Sequence, residues 1–324
     1  MGNIAIKTME KREIGTSGIK VGPFALGGNV FGWTIDEKQS FEILDAFTDA
    51  GLELIDTADV YSTWGPGNSG GESETIIGKW LKRSGKRDKV VIATKVGKPM
   101  GENKKGLSRK YIMQAVEDSL KRLQTDYIDL YQSHEDDKNT PLAETLETFT
   151  DLVKQGKAKA IGASNYSGER FKEALKVSKE SGLIAYQCLQ PEYNLYAREQ
   201  YEKEFEPVCH ENNVGVISYY SLASGFLTGK YRSEHDLSKS RRGQGVKRFL
   251  NPRGYKILAA LDKVSAEYNV SPAGIALAWI MARPGITAPI ASATSPEQLN
   301  ELIKSTQIKL SSDALYLLNT ASTY

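Results

Sequence analysis

Short apolar, β-rich runs alternate along this chain with longer stretches in which apolar residues recur every third or fourth position. The runs are VGPFALGG (21–28), LELIDTA (52–58), KVVIATKVG (89–97), YIDLYQSH (127–134), AKAIGASN (158–165), AYQCLQPEYN (185–194), GVISYYSLAS (215–224) and ITAPIASAT (286–294). Between them, DEKQSFEILDAFTDAG, SRKYIMQAVEDSLKRL and PLAETLETFTDLVKQG carry helical spacing, and glycine closes DAG and KQG as it does at helix C-termini. Strands that alternate with helices pair in parallel, because each return crossing needs a helix. Eight such units match the roughly 250 residues of a closed (β/α)8 TIM barrel better than an open doubly wound sheet. KREIGTSGIKV predicts an N-terminal β-hairpin turning at Thr16-Ser17-Gly18 and plugging the barrel's bottom, while SPAGIALAWIMARPG and SSDALYLLNTAS predict extra C-terminal helices. With no linker or low-complexity tract, residues 1–324 are expected to form a single domain.

Composition narrows the function classes. Of 324 residues, 40% are hydrophobic and 25% charged, a soluble globular profile. A formal charge of +2 gives no reason to expect nucleic acid or an anionic membrane surface as partner. No apolar run approaches the ~18 residues of a membrane span. The opening MGNIAIKTMEKREIG has no secretory h-region, and Ile6 stands where a myristoylation motif wants Ser or Thr, so an ordinary N-terminus is expected. Cys188 and Cys209 lack metal or CxxC spacing, which implies core roles in a reducing, cytoplasmic setting. The basic stretch 238–248 reads as a surface loop or as a clamp for an anionic ligand.

In a barrel of this kind chemistry gathers at the C-terminal ends of the strands. Asp56 ends the second run, Tyr61 lies in its loop, Lys95 is within the third, and His134 ends the fourth. Taken singly, each has an ordinary explanation. Asp56 could cap a turn, Lys95 could reach to the rim, His134 could be a hydrogen-bonded core residue, and Tyr61 could cover an apolar edge. Together they supply what none needs alone. A lysine ammonium beside a phenol is expected to lower its pKa from about 10, Asp56 to hold that lysine charged, and a neutral His134 to orient a carbonyl. A proton donor aimed at a carbonyl suits reduction, and since no side chain supplies hydride, a nicotinamide or flavin is implied.

Two rival motifs fit less well. Gly65, Gly67 and Gly70 spell G-x-G-x-x-G, but about seven residues separate them from the strand end where a dinucleotide turn belongs, and Pro66 intrudes. HEDD at 134–137 tempts a metal-hydrolase reading, yet His210 and His235 are not at strand ends.

The set LIDTADVY with GESETIIGKWL, VIATKVG, DYIDLYQSHEDD, LETFTDLVKQGKAKAIGASNYS, LQPEYNL, ISYYSLASGFLTGKY and IASATSPEQLNEL resembles the aldo-keto reductase superfamily over nearly the whole chain. The nearest subgroup is the one that resembles bacterial general-stress reductases and potassium-channel β-subunits. The resemblance implies a catalytic tetrad of Asp56, Tyr61, Lys95 and His134, acting on an aldehyde or ketone and reversibly on the alcohol. It also implies that Ser164, Asn165 and Gln190 hold the nicotinamide carboxamide and that Tyr219 stacks on the ring. Leu222, Ser224 and Gly225 would face the pyrophosphate with Lys230 near them, Gly28 and Asn29 would line the pocket beside the nicotinamide and substrate, and Asp56 would also touch the cofactor.

The chain departs from the pattern in two places. Ser292, Thr294, Ser295 and Gln298 offer the adenosine end no charge, and Leu302 stands where relatives place Asn, unless Arg241, Arg242 or Lys247 compensates. NADP(H) is therefore implied by resemblance, with NAD(H) as the alternative. The insertion WGPGNSGG lengthens the loop after Tyr61, and Trp33, Trp64 and Tyr220 are candidates for an aromatic substrate pocket. The competing functional class is a cofactor-binding regulatory subunit without significant turnover.

Overall fold

The computed structural model describes residues 9–240 and 243–324. The N-terminal Met-Gly reading and the roles suggested for Arg241 and Arg242 lie outside the described residues. A hairpin, β1 (Arg12–Glu13) and β2 (Lys20–Val21), precedes eight strands: β3 (Ala25–Gly27), β4 (Leu54–Asp56), β5 (Val91–Val96), β6 (Ile128–Ser133), β7 (Ala158–Ser164), β8 (Cys188–Gln190), β9 (Gly215–Ser218) and β10 (Ile286–Ala291). These eight pair in parallel and close a barrel in the order β10-β3-β4-β5-β6-β7-β8-β9.

Each observed strand is shorter than its apolar run. Strands buried on both faces stay apolar past the end of the hydrogen-bonded ladder, so hydropathy alone overstates their length. Around the barrel lie α1 (Glu37–Asp49), α2 (Glu72–Ser84), α3 (Arg109–Leu123), α4 (Leu142–Lys154), α5 (Gly168–Ser181) and α6 (Glu206–Glu211). They are followed by α7 (Pro252–Tyr268), α8 (Pro272–Met281), α9 (Pro296–Lys304) and α10 (Ser312–Ala321). Local chemistry sets their ends. Asp36 and Gln39 form a capping box for α1, and Gly51 and Gly156 follow the C-termini of α1 and α4 with φ of 79° and 74°.

Helix α7 is absent from the sequence-based scheme above, which leaves the chain between 251 and 268 without an element. The signal was present: Asn251 accepts from Gly254 N, Pro252 opens the helix, and Asn269 closes it in a left-handed conformation. No helix among the described residues is long and apolar enough to cross a membrane.

The hairpin does close the bottom. Ile14 and Val21 pack into the inner layer formed by Ala25, Leu54, Ala93 and Leu130. Arg12 fastens it by donating to Ile286 O and Met281 O, both at 2.9 Å.

Candidate active site

The alternation of a strand explains why the polar groups meet. Leu54, Ala93, Leu130, Ala160, Cys188, Ile217 and Ile290 form the apolar inner layer of the barrel. Successive side chains alternate faces, so the next inward positions are two residues on. Those positions, or in two strands the ones two further on, are Asp56, Lys95, Gln132 and then His134, Ser164, Gln190, Tyr219 and Ser292. All of them fall at the C-terminal mouth.

Lys95 is fully buried and Asp56 is 2% exposed. The Lys95 ammonium has three N–H bonds and three acceptors: Asp56 Oδ2 at 2.7 Å, Thr57 O at 2.8 Å and Tyr61 Oη at 3.0 Å. Tyr61 Oη in turn donates to Asp56 Oδ2 at 3.2 Å. From the other carboxylate oxygen further hydrogen bonds cross the mouth, one through the Gln190 side chain and the rest from its main-chain carbonyl outward. Gln190 Nε2 donates to Asp56 Oδ1 at 2.8 Å, Ser164 Oγ to Gln190 O at 2.8 Å, Asn165 Nδ2 to Ser164 Oγ at 3.1 Å, and Tyr219 Oη to Asn165 Oδ1 at 2.9 Å. Because a carboxylate only accepts, Gln190 must turn its NH2 toward Asp56, which aims its carbonyl away.

Burial lowers the Lys95 pKa and Asp56 opposes that fall. The Tyr61 phenol is held well above its ordinary value by burial and then by the Asp56 carboxylate. This corrects the expectation that Lys95, 3.0 Å away, would bring it down: burial first, and Asp56 on the same phenol second, hold it up. The proton therefore stays on Tyr61. His134 is held well below its ordinary value by burial and then by Lys95, so its imidazole is neutral. Its ring meets Tyr61 edge-on with centroids 6.0 Å apart, and its buried Nδ1 has no hydrogen-bond partner among the described residues.

The remaining candidates fall into separate groups. Asn29 at the rim accepts from Ser292 Oγ at 2.5 Å, while Gly28 is packed beneath, where a Cβ would lie 2.9 Å from Ser73 Oγ and 3.1 Å from Asp56 O. Thr294 N and Oγ1 both donate to Gln298 Oε1, at 3.0 and 2.9 Å. Beyond Leu222 the chain passes through Ala223, Ser224 and Gly225 in succession at φ of 48°, 58° and 95°. Two of the three amides are used within the turn, Ala223 N donating to Tyr220 O at 2.7 Å and Gly225 N to Leu222 O at 2.9 Å. The Lys230 side chain stands beside Gly225, within 3.9 Å of where a Cβ would be. Lys247 does not reach over the mouth; it pairs with Glu234 at 3.0 Å.

Trp64 packs against both Trp33 and Tyr61, with centroids 5.6 and 5.9 Å apart, and Tyr220 is 49% exposed beside Tyr219. The glycine-rich loop that lengthens this wall is ordered by Asn68, whose Nδ2 donates to Gly32 O and Ser62 O. In HEDD, Asp136 pairs with Arg170 at 3.0 Å and Asp137 accepts from Leu107 N and Thr140, so both brace loops. Among the described residues no cluster of three or more His, Cys, Asp or Glu stands close enough to hold a metal ion. Gln132, Asp59, Glu74 and Arg122 around this centre were not singled out from the sequence. Only Gln132 carried a usable signal, its place two residues before His134 on the inward face.

The sequence pattern of the Aldo/keto reductase family matches residues 20–322. The chain is 36% identical over 322 residues to "Uncharacterized oxidoreductase YrpG" of Bacillus subtilis (strain 168), covering 96% of this chain and 95% of that one. It is 37% identical over 323 residues to "Aldo-keto reductase YhdN" of the same organism, covering 96% and 93%. To a "Probable voltage-gated potassium channel subunit beta" of Arabidopsis thaliana it is 33% identical over 309 residues, covering 93% and 92%.

Proposed function

This chain belongs to the aldo/keto reductase family, and from that premise we propose that it is an NAD(P)H-dependent reductase of aldehydes or ketones with Tyr61 as its proton donor. The observation that carries this reading is that two hydrogen-bonded sets meet at Gln190: Tyr219, Asn165 and Ser164 lead to its main-chain carbonyl, and its side-chain amide leads to Asp56, Lys95 and Tyr61. Gln190 joins the groups suited to a carboxamide to the groups suited to proton transfer.

The residues present fit a nicotinamide dinucleotide. Gln190 and Asn165 offer amide groups of fixed orientation, Tyr219 an aromatic face, and Lys230, beside Gly225, a cation for a pyrophosphate. Bound there, the dinucleotide would supply the hydride that no side chain can. The protein's own part is the proton. A carbonyl oxygen beside Tyr61 displaces the long 3.2 Å bond to Asp56, and the phenol donates to it. The phenolate left behind is met at once by the Lys95 ammonium, already fixed by three acceptors, so little reorganisation is needed. A neutral His134 adds one N–H donor to the same oxygen without repelling Lys95. Trp33, Trp64 and Tyr220 would wall the substrate.

The cofactor preference follows from charge. Ser292 with Asn29, and Thr294 with Gln298, satisfy each other and present no cation, which weakens the grip on a 2′-phosphate. Titrating the protein separately with NADPH and NADH, by quenching of its tryptophan fluorescence, tests both points. Saturable binding supports the reading and the affinity ratio decides the nucleotide. A folded protein that binds neither would overturn it. The similarity to proteins named as potassium-channel β-subunits favours a second reading, a cofactor-binding subunit with negligible turnover, and a panel of carbonyl substrates separates the two.

A further inference from the structure

Around Asp59 lies a set of buried and half-buried charges that the reaction above does not use. Asp59, two residues before Tyr61, is 1% exposed. Its Oδ1 accepts from Val60 N at 2.6 Å, its main-chain N–H donates to Lys95 O at 3.2 Å, and Tyr61 N closes the same turn on Ala58 O at 3.3 Å. Asp59 thus ties the turn that carries the phenol to the strand that carries the ammonium. Its second oxygen, Oδ2, is buried with no hydrogen-bond partner among the described residues.

The charges around it are already matched. Lys95 of β5 pairs with Asp56 at 2.7 Å, Arg122 of α3 pairs with Glu74 of α2 at 2.7 Å, and Glu74 also takes Thr94 Oγ1 at 2.6 Å. Glu74, Arg122 and Lys95 are the charged groups that face Asp59. The phenols of Tyr111 on α3 and Tyr131 on β6 face it as well, and both are held up by burial and then by Asp59. Two cations and two anions balance, so an ionised Asp59, itself 1% exposed, would be a fifth charge without a counterion of its own, which is costly.

The geometry points to Asp59 as a positioning residue held as a neutral carboxylic acid: it fixes the Tyr61 turn and keeps the charge near the proton donor balanced, and its deprotonation makes Tyr61 a weaker acid. Only the kinetic consequence rests on the reductase reading. Burial and then the neighbouring Glu74 push this carboxyl up to about 8, which sets the range to examine. The step is a plain ionisation, in which the carboxyl O–H gives its proton to solvent and a carboxylate remains.

The test pairs two readouts on wild type and Asp59→Asn, an isosteric stand-in for the protonated state that still accepts from Val60 N. Infrared spectra of the ligand-free protein should show a buried carboxylic acid C=O band at neutral pH. That band should fade as pH rises through about 8 and be missing from Asp59→Asn. No such band, or one that persists in the variant, overturns the proposal. In carbonyl reduction, wild-type kcat should fall roughly threefold to tenfold across the same range, while the variant keeps its rate and its alkaline limb moves to higher pH. An unmoved limb in the variant also overturns it. Should Asp59→Asn fail to fold, Asp59→Ser keeps an acceptor for Val60 N and takes its place. Neither protein turning over, with the infrared band behaving as expected, would sink the reductase reading while leaving the buried acid standing.

Discussion

Two aspartates sit in the same barrel at opposite ends, both buried and both paired with cations, and they have different consequences. Asp129, near the start of β6, accepts from Arg87 and Lys159 at 2.8 Å each and from Ile92 N at 2.9 Å. Both cations also lie over the Tyr127 ring, at 3.8 and 4.1 Å. Every donor to that carboxylate is a permanent cation or a backbone amide, so nothing there is free to move. Asp56, at the end of β4, accepts from Lys95, from Gln190 and, through its longest bond, from the phenol of Tyr61. One of its donors is a weak acid that can exchange partners. A saturated carboxylate braces the fold, and one bonded to a displaceable acid can serve a reaction.

The sharpest way to break that contrast is Tyr61→Phe. Turnover should fall by ~10²–10⁴-fold while cofactor titration stays as in wild type, and an undiminished rate would remove Tyr61 from the mechanism. Next comes Lys95→Met, which strands the Asp56 carboxylate in the interior. It should cost ~3–5 kcal/mol of unfolding free energy in addition to activity, measured by denaturant titration. Asp129→Ala should cost less, ~1–3 kcal/mol, with kcat preserved, because the Arg87 and Lys159 side chains it frees are 18% and 51% exposed and can turn to water. If Asp129→Ala proved the more damaging of the two, the bottom cluster would outweigh the mouth in holding the barrel together.

A pH effect follows from His134. Its folded-state pKa lies below the ordinary value, so the unfolded chain binds the proton more readily. Stability is present above about 6.5 and is lost as pH falls below it, by up to ~1.4 kcal/mol per pH unit. Thermal melts of wild type and His134→Gln should converge in acid. The smallest effect is expected from Asn165→Ala, which removes one neutral hydrogen-bonding group and should weaken cofactor binding by ~5–10-fold, equivalent to ~1 kcal/mol.

The rhythm of apolar runs and helical stretches carried the architecture, because a strand buried on both faces and an amphipathic helix leave distinct periods in the chain. The same rhythm located Asp56, Lys95 and His134 at strand ends, and a stricter use of the two-residue alternation would have added Gln132. Helix α7 went unread although its Asn251-Pro252 start was visible, since its first turn, with Arg253 and Gly254, continues the basic, glycine-containing composition of the preceding loop.

Other features had no sequence signal at all. That Glu74 and Arg122 pair, that Gln190 turns its NH2 to Asp56, and that Asp59 is left without a counterion all depend on residues up to 134 positions apart being brought together. The direction of the Tyr61 shift is the clearest case. Sequence alone determined that an acid, a phenol, an ammonium and an imidazole would share the mouth of an eight-stranded barrel, because periodicity is a local property. Only the tertiary structure decided which of them touch. Coulombic and desolvation effects vary with distance and burial, and here they put Asp56 against the phenol and keep its proton in place.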